Sequence, residues 1–119
     1  MRSILLIEDD PNLRGLLEQV LAGAGYDVRT AADGKQGANL CRATPPDLVI
    51  TDIYMPNRDG LEVIMDLRQS CPQTRVIAIS GQVTTKNMLS AASTLGAVRT
   101  LAKPFQPQEL LAAVEEVLR

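Results

Sequence analysis

The sequence predicts an α/β domain built on a mostly parallel, doubly wound sheet. Three observations predict it. Five short apolar runs alternate strictly with five stretches of helical periodicity, joined by short loops. That alternation requires right-handed crossovers. The strands are apolar on both faces, so the sheet needs helices on both sides.

The first run, Ser3 to Ile7, is continuously apolar and reads as a covered strand. Glu8, Asp9 and Asp10 follow at once. Asp10-Pro11 marks a helix start, with Asp10 as the cap and proline at the first helical position. Leu13, Leu16, Leu17, Val20 and Leu21 recur at helical spacing, and Gly23 and Gly25 stop the helix. Tyr26 to Ala31 alternates less cleanly and reads as a strand, with an edge position open. Asp33-Gly34 is a turn signal, followed by a weak helix from Gly34 to Ala43 that Thr44-Pro45-Pro46 ends.

Asp47 to Thr51 is the next strand, and a single carboxylate, Asp52, stands at its end. The block Thr51-Asp52-Ile53-Tyr54-Met55-Pro56-Asn57-Arg58-Asp59-Gly60 then turns the chain into a helix from Gly60 to Ser70, with Leu61, Ile64 and Met65 on one face. Cys71-Pro72 breaks that helix. Arg75 to Ile79 is a strand rich in β-branched residues, closed by Ser80-Gly81. Thr84 or Thr85 caps a fourth helix whose inner face is Met88, Leu89, Ala92 and Leu95, and Gly96 ends it. Ala97 to Leu101 is the last strand, followed by Lys103-Pro104. Gln106-Pro107 starts the last helix, with Leu110, Leu111, Val114, Val117 and Leu118 facing inward. No repeat, low-complexity segment or linker interrupts the series, so residues 1–119 are expected to form one domain with no output domain.

Bulk composition narrows the function. The chain is 45% hydrophobic and 22% charged, as in ordinary globular proteins, but only 3% aromatic, so the core is aliphatic and alanine-rich. A net charge of −2 without a basic run argues against direct nucleic-acid binding. There is no histidine, which excludes histidine-based triads and histidine-ligated zinc within this chain. Cys41 and Cys71 lack metal or redox spacing and read as two small buried side chains in a reducing compartment. No apolar run approaches the ~20 residues of a membrane span, and Met1-Arg2 leads straight into the first strand without a secretory signal. A cytosolic protein is expected, with no membrane partner.

In such a sheet the strand carboxyl ends share one edge, where open α/β sheets do their chemistry. The acids after the first strand, Asp52 after the third, Ser80 after the fourth and Lys103 after the fifth converge there. The set suits phosphoryl transfer to a carboxylate. Asp is ionised at neutral pH, so Asp52 needs no general base. An anionic phosphoryl group repels it, and a hard cation such as Mg²⁺ relieves the repulsion through oxygen ligands. Glu8 and Asp9 supply two carboxylates, and Asp52 a third. The Lys103 ammonium and the Ser80 hydroxyl can contact phosphoryl oxygens. Asp10 reads as the helix cap rather than a ligand.

Over its whole length the sequence resembles the receiver domain of two-component response regulators (the CheY-like family). Glu8-Asp9-Asp10, the Thr51 to Gly60 block, Ser80-Gly81 and Lys103-Pro104-Phe105 carry the resemblance. It implies a flavodoxin-like (βα)5 fold with strand order 2-1-3-4-5. It implies Asp52 as phosphoacceptor, and Mg²⁺, or Mn²⁺ in its place, held by Glu8, Asp9, Asp52 and the main-chain carbonyl of Tyr54. Ser80 and Lys103 would bind phosphoryl oxygens, and Lys103-Pro104 is a candidate cis peptide. Tyr54 and Gln82 occupy the positions that tune phosphoryl lifetime. Ser80 and Thr100 occupy the switch positions, and Thr100 stands where many relatives have an aromatic ring, which predicts a smaller or differently routed conformational change.

The resemblance further implies a signalling switch that catalyses only its own phosphorylation and dephosphorylation. A histidine kinase or histidine phosphotransfer protein would be the donor. A downstream protein or an absent output domain would be the target, and homodimerisation would use the face of the fourth helix, fifth strand and fifth helix. Three other readings stay open. A degenerate receiver would bind partners without phosphorylation. An Mg²⁺-dependent phosphohydrolase would use an Asp nucleophile, but Tyr54 sits where a second acid is usual. A flavin or nucleotide module would need a Gly- or Ser/Thr-rich phosphate loop, and Glu8-Asp9-Asp10 would repel its ligand.

Overall fold

The computed structural model describes residues 2–53, 60–80 and 96–119, with the side chains of Gly60 and Leu61 left aside. Its elements are β1 (Ser3–Ile7), α1 (Pro11–Gly23), β2 (Asp27–Ala31), α2 (Gly34–Ala43), β3 (Leu48–Asp52), α3 (Gly60–Ser70), β4 (Arg75–Ser80), β5 (Arg99–Ala102) and α4 (Pro107–Leu118). The last of these is the fifth helix expected from sequence. The expected helix after Thr84 or Thr85 falls outside the described residues, as do Tyr54, Gln82 and most of the proposed dimer face.

All strand pairs are parallel, and the order is β2-β1-β3-β4-β5. This is the flavodoxin-like order. It puts β2 at one edge, where its side chains are only half-buried, and explains its imperfect alternation. The three central strands bury nearly every residue.

Side chains of each strand alternate between two cores. Leu5, Ile7, Val49, Val76 and Ala78 pack under α2 and α3, together with Cys41, Val63, Ile64 and Leu67. Ile4, Leu6, Leu48, Ile50, Ile77 and Ile79 face the other way, onto Leu17 and Leu21 of α1 and Leu110, Ala113, Val114 and Leu118 of α4. Each fully buried Leu, Ile or Val contributes about 1.5–3 kcal/mol by leaving water.

Two helix faces differ from the sequence reading. In α1, Leu17 and Leu21 are buried, but Leu16 is 51% exposed. At ~100° per residue Leu16 lies well off the stripe through Leu13, Leu17 and Leu21. In α3, Val63, Ile64 and Leu67 form the buried face and Met65 is 49% exposed, so Met65 is not an inner residue. Val63 and Leu67 stand one turn apart with Ile64 beside them, while Met65 falls about another 100° away.

Strand limits also move. Asp47 is not a strand residue but a clamp: its Oδ2 accepts from Ser3 N at 2.8 Å, and its own N–H donates to Ser3 O at 3.0 Å. Asp52 and Ser80 are the final residues of β3 and β4 rather than the first beyond them. β5 starts two residues later than expected and ends at Ala102, opposite Ser80.

Capping follows the sequence. Asp10 accepts from Asn12 N at 2.9 Å and Leu13 N at 3.4 Å, the role expected of an N-cap. Asp33, read as a turn residue, also caps: it accepts from Gln36 N, and Gln36 Oε1 accepts in return from Ala32 N. Gly25 takes φ +98° beyond the end of α1, a region open to glycine without strain. At Gly37 a methyl would lie 2.3 Å from Ile7 Cδ1, so glycine lets α2 sit directly on β1. Among the described residues no helix is long and apolar enough to cross a membrane.

Candidate functional site

The parallel sheet brings the ends of β1, β3, β4 and β5 to one edge. Register alone does this: Ile7 pairs with Thr51, Asp52 with Ile79, and Ser80 with Ala102. The next residues along β1 and β5 are Glu8 and Lys103, so Glu8, Asp52, Ser80 and Lys103 become neighbours. Lys103 N–H donates to Ser80 O at 2.7 Å, tying the β5 exit to the end of β4. The Lys103–Pro104 peptide is cis.

Lys103 Nζ lies 2.5 Å from Asp52 Oδ2 and 3.1 Å from Glu8 Oε1. Glu8 and Asp52 are buried, and Ser80 has no exposed surface. One oxygen each from Glu8, Asp9 and Asp52 fall within 4.8 Å of one another, with Asp9 the most open of the three. Three hard carboxylate donors at this spacing fit a small divalent cation that retains some of its water. Tyr54, whose carbonyl the resemblance adds to that shell, lies outside the described residues.

The charges are strongly coupled. Burial pushes the Glu8 carboxyl up to about 7, helped by the neighbouring Asp52 charge and opposed by the Asp10 N–H and by Lys103. Burial works against the Lys103 charge, but Asp52 and then Glu8 outweigh it, so the ammonium is held above its ordinary range. The lysine is thus a fixed cation between two buried acids.

The backbone around Glu8 is pinned from several sides. Glu8 N–H donates to Ala31 O at 3.0 Å, Asp10 N–H donates to Glu8 Oε2 at 3.1 Å, and Arg14 Nη1 donates to Glu8 O at 2.9 Å. Sequence reasoning missed Arg14. Its one signal is position: it is the fourth residue past the cap, so its side chain can reach back over the first turn. The lysine's contact with Glu8 was also unread, since Lys103 was expected to meet only phosphoryl oxygens.

Thr100 is half-buried on β5 opposite Ala78, two residues before the Ser80–Ala102 pair. Gln82 lies outside the described residues. Beside Lys103, a cleft of about 260 Å³ opens between α1 and the turn into α4. It is lined by Leu13, Leu16 and Leu17 on one side and by Pro104, Phe105 and Pro107 on the other.

A family model, "Response regulator receiver domain", matches residues 4–115. The response regulator ArlR of Staphylococcus epidermidis is 37% identical over 119 residues, which is 100% of this chain and 53% of that protein. The alkaline phosphatase synthesis transcriptional regulatory protein PhoP of Bacillus subtilis is 32% identical, over 99% of this chain and 49% of PhoP. A crystal structure of a CheY-like receiver domain protein from Methanospirillum hungatei superposes with a TM-score of 0.93 at 25% identity, covering 99% of this chain and 94% of that one. The chain therefore spans about half the length of the curated relatives it matches.

Proposed function

The chain belongs to the response regulator receiver domain family, and on that premise we propose that it is a phosphorylation-dependent switch whose acceptor is Asp52. The observation that carries this reading is the Asp52 environment. A buried strand-end carboxylate has a lysine ammonium on one oxygen and two more acids within 4.8 Å.

In the proposed reaction an Asp52 carboxylate oxygen attacks the phosphorus of a phosphohistidine. The P–N bond breaks, a P–O bond forms, and the imidazole of the donor leaves with the electron pair. A carboxylate nucleophile needs no general base. The Lys103 ammonium and Ser80 hydroxyl take phosphoryl oxygens and stabilise the charge that develops there. Mg²⁺ would be held by the carboxylates of Glu8, Asp9 and Asp52, to which the resemblance adds the Tyr54 carbonyl, and would supply positive charge to the reacting anions; Mn²⁺ would suit the same oxygen donors. Arg14 and the Asp10 N–H keep Glu8 in place for that role. Chemistry is confined to this one side chain: the domain forms and hydrolyses its own acyl phosphate and turns over no other substrate.

The donor is a histidine kinase or histidine phosphotransfer protein. It must approach the open side of the site beside Lys103, where the apolar cleft and the exposed Leu16 give it a surface to rest on. The new charge on Asp52 biases the domain between two surface states, read by an output domain or by a separate protein in the cytosol.

Incubation with Mg²⁺ and acetyl phosphate tests this, read by intact mass. The expected result is a gain of one phosphoryl group that is lost in Asp52→Asn and on omitting the metal. An unmodified wild type under trapping conditions leaves a phosphorylation-independent binding module as the better account.

A further inference from the structure

Cys41 and Cys71 lie far from the acceptor chemistry and take no part in it. Cys41 sits near the end of α2, and Cys71 is the first residue past α3. They are 30 positions apart, yet their Sγ atoms are 2.9 Å from each other. Both are free thiols, at 0% and 4% exposure. The Cys71 thiol also points at Cys41 O, 3.5 Å away. Cys41 of α2 lies in one buried cluster with Val63, Ile64 and Leu67 of α3, so the pairing is built into the core rather than into a loop.

We propose that Cys41 and Cys71 are a modification site: a dithiol that a disulfide oxidant of the glutathione class converts to an intramolecular disulfide. A bonded pair lies about 2.0 Å apart, so the two sulfurs need to approach by less than ~1 Å. The steps balance through exchange. One cysteine thiolate attacks oxidised glutathione, forming a mixed disulfide and releasing one glutathione thiolate. The second cysteine attacks the protein sulfur, forms the Cys41–Cys71 bond and releases the second glutathione. Two cysteine protons pass to the two glutathiones, and two electrons leave the protein.

Burial, followed by the neighbouring thiol, pushes Cys41 up to about 12, so the closed core keeps the pair inert at neutral pH. Reaction begins when the last turn of α3 opens toward Pro72 and Gln73, which are exposed. The bond encloses β3 and Asp52 in one covalent loop and ties α2 to α3. The device is slow to set and, once set, holds the acceptor strand against opening.

Incubating the full chain with oxidised glutathione, then measuring intact mass, peptide linkage and melting temperature, tests this. The expected product has lost two hydrogens, retains no glutathione, joins the Cys41 and Cys71 peptides, and melts about 10 °C higher until dithiothreitol is added. Cys41→Ser should instead retain one glutathione, on Cys71, and show no rise. Stable glutathione adducts on the wild type, or no reaction until the chain is unfolded in denaturant, would overturn the proposal. None of these readouts depends on phosphorylation of Asp52.

Discussion

Lys103 Nζ and Asp52 Oδ2 are 2.5 Å apart across 51 positions of sequence. The pair is largely shielded from water, with side-chain exposures of 25% and 6%. A lysine so placed would cancel part of the charge that the proposed phosphoryl group brings, and it offsets part of the cost of burying Glu8 and Asp52 together. Removing it therefore tests both stability and chemistry.

Lys103→Met should lower stability by about 1–3 kcal/mol, because two buried acids lose their cation. Mg²⁺ should recover part of that loss. Phosphorylation by acetyl phosphate should slow by roughly 10²–10³-fold, the usual cost of losing one charge-stabilising donor. Thermal melts with and without Mg²⁺, and time courses of intact mass, measure the two effects. Equal rates for wild type and variant would remove Lys103 from the phosphoryl site.

Glu8 links stability to pH. Its folded pKa of about 7 stands above the ordinary 4.5, so the folded state holds a proton that the unfolded state has released. Without metal, the Glu8 contribution is fully favourable below about pH 4.5 and is lost as pH rises through 7. Glu8→Gln should therefore match wild type at pH 5 and exceed it at pH 8, by about 1–3 kcal/mol. The metal needs the ionised carboxylate, so Mg²⁺ affinity of the wild type should rise between pH 6 and 8, with proton release seen by calorimetry in two buffers. A pH-independent difference between the two proteins would contradict the assignment.

Asp10 separates a cap from a ligand. Asp10→Ala should cost about 1 kcal/mol, the worth of an N-cap side chain. Mg²⁺ binding should hardly change, since the Asp10 N–H that steadies Glu8 is backbone and survives the substitution. Denaturant melts and metal titration of the same variant decide it. A clear loss of metal affinity would make Asp10 part of the metal site.

Thr100 stands half-buried on β5 at a position where the resemblance puts an aromatic switch residue. With a beryllofluoride mimic on Asp52, amide shifts should concentrate at the ends of β3 and β4 and around Lys103, with a small response at Thr100. Thr100→Tyr should enlarge the response of β5 by restoring a ring to that position. A large cooperative change centred on Thr100 in the wild type would show that the hydroxyl replaces the ring fully.

The convergence of the candidate residues was largely legible in the sequence, because parallel alternation places every strand end on one edge. Glu8, Asp9, Asp52, Ser80 and Lys103 each follow or finish an apolar run, and register does the rest. Arg14 was not legible, since a guanidinium reaching a backbone carbonyl leaves no pattern in residue types. Nor was the Cys41–Cys71 contact: their spacing matches no motif, and they meet only because α2 and α3 share one face of the sheet.

Local chemistry thus determined the elements, their order, the cap at Asp10, and the residues offered at the carboxyl edge of the sheet. Those follow from periodicity and hydrogen bonding within a few residues. Tertiary packing decided the rest. It chose Val63 and Leu67 over Met65 and left Leu16 beside a cleft, because a helix several leucines wide can rotate on a sheet at little local cost. It also set one lysine between two buried acids, because only the assembled parallel sheet brings the ends of β1, β3 and β5 together.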